Sequence, residues 1–500
     1  MPKVNLPHPA RSYNILLPMP GSDANHWNLL IPLTKALADR GHKIVTLQAI
    51  PAVFNHPNIT EVVLPLGRSN SPSNHFDIRR SLTGGIHLLE ETLPAKASKF
   101  YTIPVVKDFY RRRKEFDVII TTHIFNEMAY PFALGVPLIL VITTPQDSRL
   151  SAVMGNVHHP AYVPNLHHDY PHPLGFLDRL QNLFFHIYLP GYWGLWGYVP
   201  KIQKEVSAHL PDIPPLLDIE RNVSLVLLNY QFVAGYAMPL LPSEVEVGGM
   251  HCVPGQPLPQ DLESWIKGAG PVGVVYFSLG TVATGTKMPL KYRDLFVKAF
   301  ARLQYRFIWK FESALEDVSE NVLLRSHLPQ QDILADPRVK LFISHGGRLS
   351  TQEAVYHATP VLVIPIFADQ HRNALEIVRQ GVGLSLHWDE LTVDLLVNSI
   401  KEIINNGRYM SNIKKVSAVI RDRPESPLDR AVFWTEHVIR HQGALHLKSP
   451  AAQLSWVEFF MLDILAFLFL VALAVSLTLR KFLQTACTIR KRERSKTKEA

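Results

Sequence analysis

In "VKLFISHGGRLSTQE", residues 339–353, an imidazole (His345) and two glycines (Gly346, Gly347) follow an apolar run, and Ser350, Thr351 and Glu353 come just after. Such a set suits a ligand that is anionic at one end. Residues without a Cβ let backbone N–H groups come close, and the start of a helix favours a phosphate. The local alternative is that Ser350 and Glu353 form a Ser-x-x-Glu capping box and His345 is a satisfied polar residue. A second set closes another apolar run in "YFSLGT", with Ser278, Gly280 and Thr281, and a third, Asp369 and Gln370, closes "PVLVIPIFADQ". His26 stands apart in "GSDANHWNLLIPLTKAL", after the first apolar run, opening a segment whose Leu30, Leu33 and Leu37 recur at helical spacing.

These groups need strands that end on one edge. "YNILLPM" (13–19), "KIVTLQA" (43–49), "EVVLPLG" (61–67), "FDVIITT" (116–122), "VPLILVITT" (136–144) and "SLVLLNY" (224–230) are short apolar runs of the kind buried on both faces of a parallel sheet. After the Gly- and Pro-rich "VGGMHCVPGQPLPQ" (247–260) a second alternation runs through 272–281, 305–312, 339–347 and 360–367. The pattern predicts an α/β chain of two doubly wound units facing each other, with a ligand cleft between the strand C-termini. The expected domains are 1–246, a linker 247–270, and 271–450.

The 500 residues carry a net charge of +8, but eight Lys/Arg against two Glu fall after residue 479, so the body is near neutral and a nucleic-acid role is disfavoured. Two cysteines, Cys252 and Cys487, make no disulfide framework. "FFMLDILAFLFLVALAVSLTL" (459–479) matches the roughly 20 apolar residues that cross a bilayer core. A transmembrane helix over 457–479 is expected, with the basic tail 480–500 on the cytosolic side and the body on the other. "MPKVNLPHPARSYNILLPMP" has no apolar leader core, so luminal entry calls for a leader ahead of residue 1 or an unusual route. Two sequons, at Asn58 and Asn222, fit a luminal body.

"SLGT", "HLPQQDILADPRVKLFISHGG", "STQEAVYHATPVLVIPIFADQHRNA" and "PLDRAVFWTEHVIRHQGALHL", in that order and ahead of a membrane span, resemble the animal membrane-bound UDP-glycosyltransferases, which include UDP-glucuronosyl- and UDP-glucosyltransferases. The resemblance implies a GT-B fold of two Rossmann-like domains, a UDP-sugar as co-substrate with no cofactor or metal, and a small lipophilic acceptor bound by the N-terminal half. It implies that His345 meets the diphosphate with Ser278, Gly280, Thr281, Gly347 and the amides near Ser350 and Thr351. Glu353 would take the ribose hydroxyls, Asp369 and Gln370 the sugar, and His327 and Gln330 the uridine end. His26 would remove the acceptor proton as C1 of the sugar is attacked with inversion. The run "GGRLSTQEA" is closer to the invertebrate members, which mostly use UDP-glucose, and "KTKEA" is similar to dilysine signals of the endoplasmic reticulum. Whether the chain forms homo- or hetero-oligomers is left open.

Two residues depart from the family pattern. Thr122 stands where the family has a carboxylate to orient the catalytic imidazole, with Glu127 and Asp23 as the nearest substitutes, and His327 stands in place of a Trp. The expected activity is therefore a UDP-hexosyltransferase. The competing expectation is a membrane-anchored protein that binds UDP-sugar or acceptor and turns over poorly.

Overall fold

The computed structural model describes residues 11–22, 24–51, 54–67, 76, 89–143, 148–165, 170, 173–232, 237–281 and 284–496. Residues up to Lys448 form one compact unit, and Ser449–Ala500 form another.

The first unit holds two sheets. In the first, β1 (Asn14–Met19), β2 (Lys43–Gln48), β3 (Ile59–Val63), β4 (Val118–Thr122), β5 (Leu138–Ile142), β6 (Leu225–Leu228) and β7 (Glu244–Glu246) lie in the order β3-β2-β1-β4-β5-β6-β7. All neighbours are parallel. Every residue of β4 and β5 is buried, as expected of strands with helices on both faces. The second sheet has the order β10-β9-β8-β11-β12-β13, built from β8 (Val274–Ser278), β9 (Arg306–Lys310), β10 (Val322–Arg325), β11 (Val339–Ser344), β12 (Val361–Val363) and β13 (Gly383–Ser385). It too is wholly parallel.

Each sheet reverses its winding once, between β1 and β4 in the first and between β8 and β11 in the second. Crevices at such switch points, beyond the strand C-termini, are where open α/β sheets take ligands. Ser278 ends β8 directly beside Ser344, which ends β11, so the "SLGT" and "SHGG" turns are neighbours. The His26 helix (Ala24–Asp39) follows β1, and Thr122 ends β4.

The apolar runs land in strands, with trimmed ends. The predicted 61–67 strand instead starts at Ile59 and stops at Val63, just ahead of Pro65, which has no N–H for a ladder. The edge strands β7, β10 and β13 were not expected from the sequence. They are only three or four residues long, and β10, whose apolar run is just Val322–Leu324, is partly exposed throughout, so their sequence signal is short. Within 247–270, Gln260–Lys267 is a helix whose Leu262 and Ile266 join the core of the second sheet.

The chain also crosses back. The helix Pro427–Arg440 buries Ala431, Val432, Val438 and Ile439 in the first core with Leu29, Leu33 and Leu37 of the His26 helix. At roughly 1.5–3 kcal/mol for each large aliphatic side chain buried, this face fixes the His26 helix from behind. Glu436 adds a buried tie, accepting from Arg40 (2.5 and 3.0 Å) and meeting His42 at 3.1 Å.

In the second unit, Leu462–Lys496 is one helix of 35 residues. Its stretch Leu462–Ile489 has a mean hydropathy of 2.5 and is long and apolar enough to cross a membrane. The helix runs on through the basic block, whose last four residues, with Lys498, lie outside the described ones.

Candidate active site

The donor-side residues converge on the second switch point. His345, 9% exposed, lies between two glycines: a Cβ on Gly280 would come within 2.8 Å of its ring, and one on Gly347 within 2.5 Å of Nε2. The glycines are thus required by the imidazole as much as by any ligand. Burial, with the nearby Lys310 charge adding to it, lowers His345 to about 4. The ring is neutral at physiological pH, with one N–H to offer and its Nδ1 buried without a partner. The nearby cation is Lys310, whose Nζ donates to Gly280 O (2.8 Å) and to Glu312 (3.2 Å). Ser278 Oγ accepts from the Gly280 amide (3.3 Å), and Thr281 is exposed beside it.

Gly347 is the N-cap of the helix Arg348–Tyr356. Amides of a first helical turn lack intrahelical acceptors, which leaves those up to Ser350 for a ligand. Thr351 offers less than expected: its amide is bonded to Gly347 O (3.0 Å) and its hydroxyl to Arg348 O (2.9 Å). The capping-box alternative is not realised, because Ser350 is already inside the helix and its Oγ accepts from Gln330 (3.1 Å).

Gln330 ties together the residues that the resemblance assigns to the uridine end. Its Nε2 also donates to Glu353, and its Oε1 accepts from the Tyr276 hydroxyl (3.1 Å). Burial raises Glu353 to about 7, against the lowering effect of the Gln330 hydrogen bond. His251, itself lowered to about 4 by burial, is 3.7 Å from the other Glu353 oxygen. His327 is exposed, its Nδ1 3.1 Å from Ser326 Oγ. On the next strand end, Asp369 Oδ2 accepts from Asn373 (2.8 Å), and Gln370 Oε1 accepts from the Ile366 and Phe367 amides (2.8 and 3.1 Å). Asp369 Oδ1 and Gln370 Nε2 are left for a ligand.

His26 sits at the other switch point, in the first turn of its helix and 7% exposed. Phe125 stacks on it, ring centroids 5.4 Å apart and planes 16° from parallel. Thr122 is fully buried, but its hydrogen bonds go elsewhere: Oγ1 accepts from Asn126 Nδ2 (2.6 Å), is 3.4 Å from Ser22 Oγ and donates to Ile124 O (3.3 Å). Glu127 is committed to another partner, the Tyr198 hydroxyl (2.9 Å), and burial raises it to about 8. Asp23, the other proposed substitute, lies outside the described residues.

A family model described as UDP-glucoronosyl and UDP-glucosyl transferase matches residues 108–497. The chain is 34% identical to UDP-glycosyltransferase UGT5 of Dactylopius coccus, over 94% of this chain and 91% of the relative. The chain belongs to this UDP-glycosyltransferase family. It is also similar to UDP-glucosyltransferase 2 of D. coccus (33%, covering 91% and 89%) and to UDP-glucuronosyltransferase 2B18 of Macaca fascicularis (28%, covering 89% and 88%). Among solved structures, a UDP-glucosyltransferase from Polygonum tinctorium aligns with a TM-score of 0.57 at 16% identity, over 86% of this chain and 99% of that one. The likeness shows the shared GT-B fold. This UDP-glycosyltransferase is therefore a UDP-sugar glycosyltransferase built on two Rossmann-like domains.

Two charged residues beside these groups lay outside the sequence reading. Lys310 closes "FIWK" at the same sheet edge as "SLGT", a signal readable only once the strand order is known. Arg348, 6% exposed, stacks its guanidinium 5.4 Å over Tyr230 of the first domain and donates to Glu376 (2.6 Å) and Asn373 (3.2 Å). Asn373 also donates to Gly346 O (2.9 Å), so one chain of bonds joins the phosphate turn to Asp369. With the Gln352 side chain donating to Asn229 O (3.3 Å), the contacts between the two domains run along the ligand edge.

The aromatic-rich run "FFHIYLPGYWGLWGYVP" (184–200) forms the end of the helix Phe176–Gly191, a following π-turn and the start of the helix Tyr198–His209. Leu177, Ile187, Leu195 and Trp196 are exposed there, whereas Trp193 is buried against Tyr198. Of the two sequon asparagines, Asn222 is exposed, and the Asn58 amide is bonded to Ala38 O (3.0 Å).

Proposed function

We propose that the protein transfers glucose from UDP-glucose to a hydroxyl of a small lipophilic acceptor, with inversion at C1. His26 takes the acceptor proton, the acceptor oxygen attacks C1, and the bond from C1 to the β-phosphate oxygen breaks with its electron pair leaving on UDP. The observation that carries the reading is the convergence of neutral His345, Lys310 and the first-turn amides of Arg348–Tyr356 on one strand edge, a set suited to the charge that develops on a departing diphosphate. Glu353 holds the ribose hydroxyls, Gln330 and His327 line the uridine end, and Asp369 with Gln370 holds the sugar.

Glucose is favoured over glucuronate by the UDP-glucosyltransferase named among the D. coccus relatives. No step relies on a divalent cation, and product formation that stops with chelator contradicts that. The aromatic-rich segment 184–200 helps to admit acceptor from the membrane that the C-terminal helix crosses, and the body lies in the lumen of the endoplasmic reticulum. Glycosidase-sensitive mass at Asn222 supports this topology, and its absence from membranes of cells that glycosylate opposes it.

Thr122 favours a second reading, in which the protein binds UDP-sugar without turnover. Product analysis separates the two. Glucoside formed from UDP-glucose by wild type and lost in His26→Ala supports the enzyme, whereas UDP-glucose binding with no glucoside from any acceptor supports the binder.

A further inference from the structure

The loop ahead of the His26 helix is held by a residue that the sequence alone does not single out. Asn126 is fully buried, and its side-chain amide spends both ends on the same two loops. Oδ1 accepts from the Gly21 amide (2.9 Å) on one of them, while Nδ2 reaches both, donating to Ser22 Oγ (2.8 Å) and Thr122 Oγ1 (2.6 Å). Gly21 and Ser22 lead directly into the His26 helix. A Cβ on Gly21 would fall 1.8 Å from the Phe125 carbonyl oxygen, so the two loops touch backbone to backbone. Phe125, next to Asn126, is held at φ 72°, a left-handed conformation unusual for an aromatic residue, and in that conformation its ring lies flat on His26.

We propose that Asn126 is the positioning residue for His26. It clamps the loop that leads to the imidazole and the loop that carries the stacked Phe125, and so performs with neutral bonds the orienting part of the work that a carboxylate at position 122 performs. Thr122 is a partner of Asn126 in this clamp. The inference rests on His26 being the base. Asn126 takes no part in the proton transfer itself, and it acts through the angle at which the ring meets the acceptor.

The test uses full-length protein in membranes with UDP-glucose and a phenol acceptor, and compares Asn126→Ala, Asn126→Asp, His26→Ala and His26→Ala/Asn126→Ala. Misplacing a reacting group by an ångström costs on the order of 100-fold, so Asn126→Ala should lower kcat by roughly 10- to 100-fold with UDP affinity unchanged. The double variant should be no slower than His26→Ala, because residues that act as a unit are not additive. Asn126→Asp can accept from the Gly21 amide and from both hydroxyls, so it keeps the clamp. Its charge should move the acid limb of the pH–rate profile to higher pH by favouring the protonated imidazole.

Wild-type kcat in Asn126→Ala, with His26→Ala inactive, overturns the positioning role and leaves the base reading standing. Full activity in His26→Ala overturns the base reading itself. Additive losses in the double variant make Asn126 a merely structural residue. If Asn126→Ala does not fold, the acid limb of Asn126→Asp decides alone, a shift supporting the proposal and an unmoved limb overturning it.

Discussion

The two switch points are built on different plans. At the second, the proposed binding is shared among His345, Lys310, Ser278 and first-turn amides, most of which carry the resemblance to the family. At the first, the proposed proton transfer falls to one imidazole, with Thr122 where the resemblance implies a carboxylate, Glu127 bonded to Tyr198, and Asn126 bridging the loops. A distributed site tolerates change at any one member. A site that depends on one side chain transmits every change in its surroundings to the rate.

The largest effect should come from that single side chain. His26→Ala is expected to cut glucoside formation by the roughly 10²–10⁴ that a positioned base contributes, while calorimetric UDP affinity stays within about twofold of wild type, well below the cost of one lost hydrogen bond. Equal loss of both would erase the contrast between the two sites. Gly347→Ala attacks the other site through packing, since its Cβ would fall 2.5 Å from His345 Nε2. A displaced charge-assisted bond costs about 1.5–3 kcal/mol, so UDP binding should weaken roughly 10- to 100-fold at unchanged acceptor dependence.

Glu353 sharpens the donor side by pH. With its carboxyl raised to about 7, UDP binding should tighten as pH rises through that value and the group becomes an acceptor for both ribose hydroxyls. Isothermal titration from pH 6 to 8 reads this, and Glu353→Gln should flatten the profile. A last effect, read on stability rather than on catalysis, should come from Glu127. A carboxyl whose value is higher folded (about 8) than unfolded (4.5) holds its proton more tightly in the native state. Stability should therefore fall as pH rises between those values. Melting curves should show Glu127→Gln losing less Tm than wild type from pH 5 to pH 8.

The sequence made the strand ends legible because chemistry and pattern coincide there: apolar runs stop where glycines and polar residues begin. The donor residues 278–281 and 345–353 fell on the same sheet edge as a result. Thr351 shows the limit, since a residue type says nothing of where its donors are already spent. Lys310 and Asn126 were missed for another reason, that each matters through neighbours far away in the chain: Lys310 touches Gly280, and Asn126 touches Gly21. The return of Pro427–Arg440 to the first domain was illegible too, because an amphipathic helix shows which face it buries but not against what.

The most direct test of the account is acceptor-dependent UDP release from UDP-glucose, with UDP-glucuronate in parallel, in membranes holding wild type or Thr122→Asp and a panel of phenols and lipophilic alcohols. The account predicts release by wild type with UDP-glucose, showing that the clamp around Thr122 supports a working base. Silence in wild type with turnover in Thr122→Asp would contradict it, leaving an intact donor site beside a base that has lost its function.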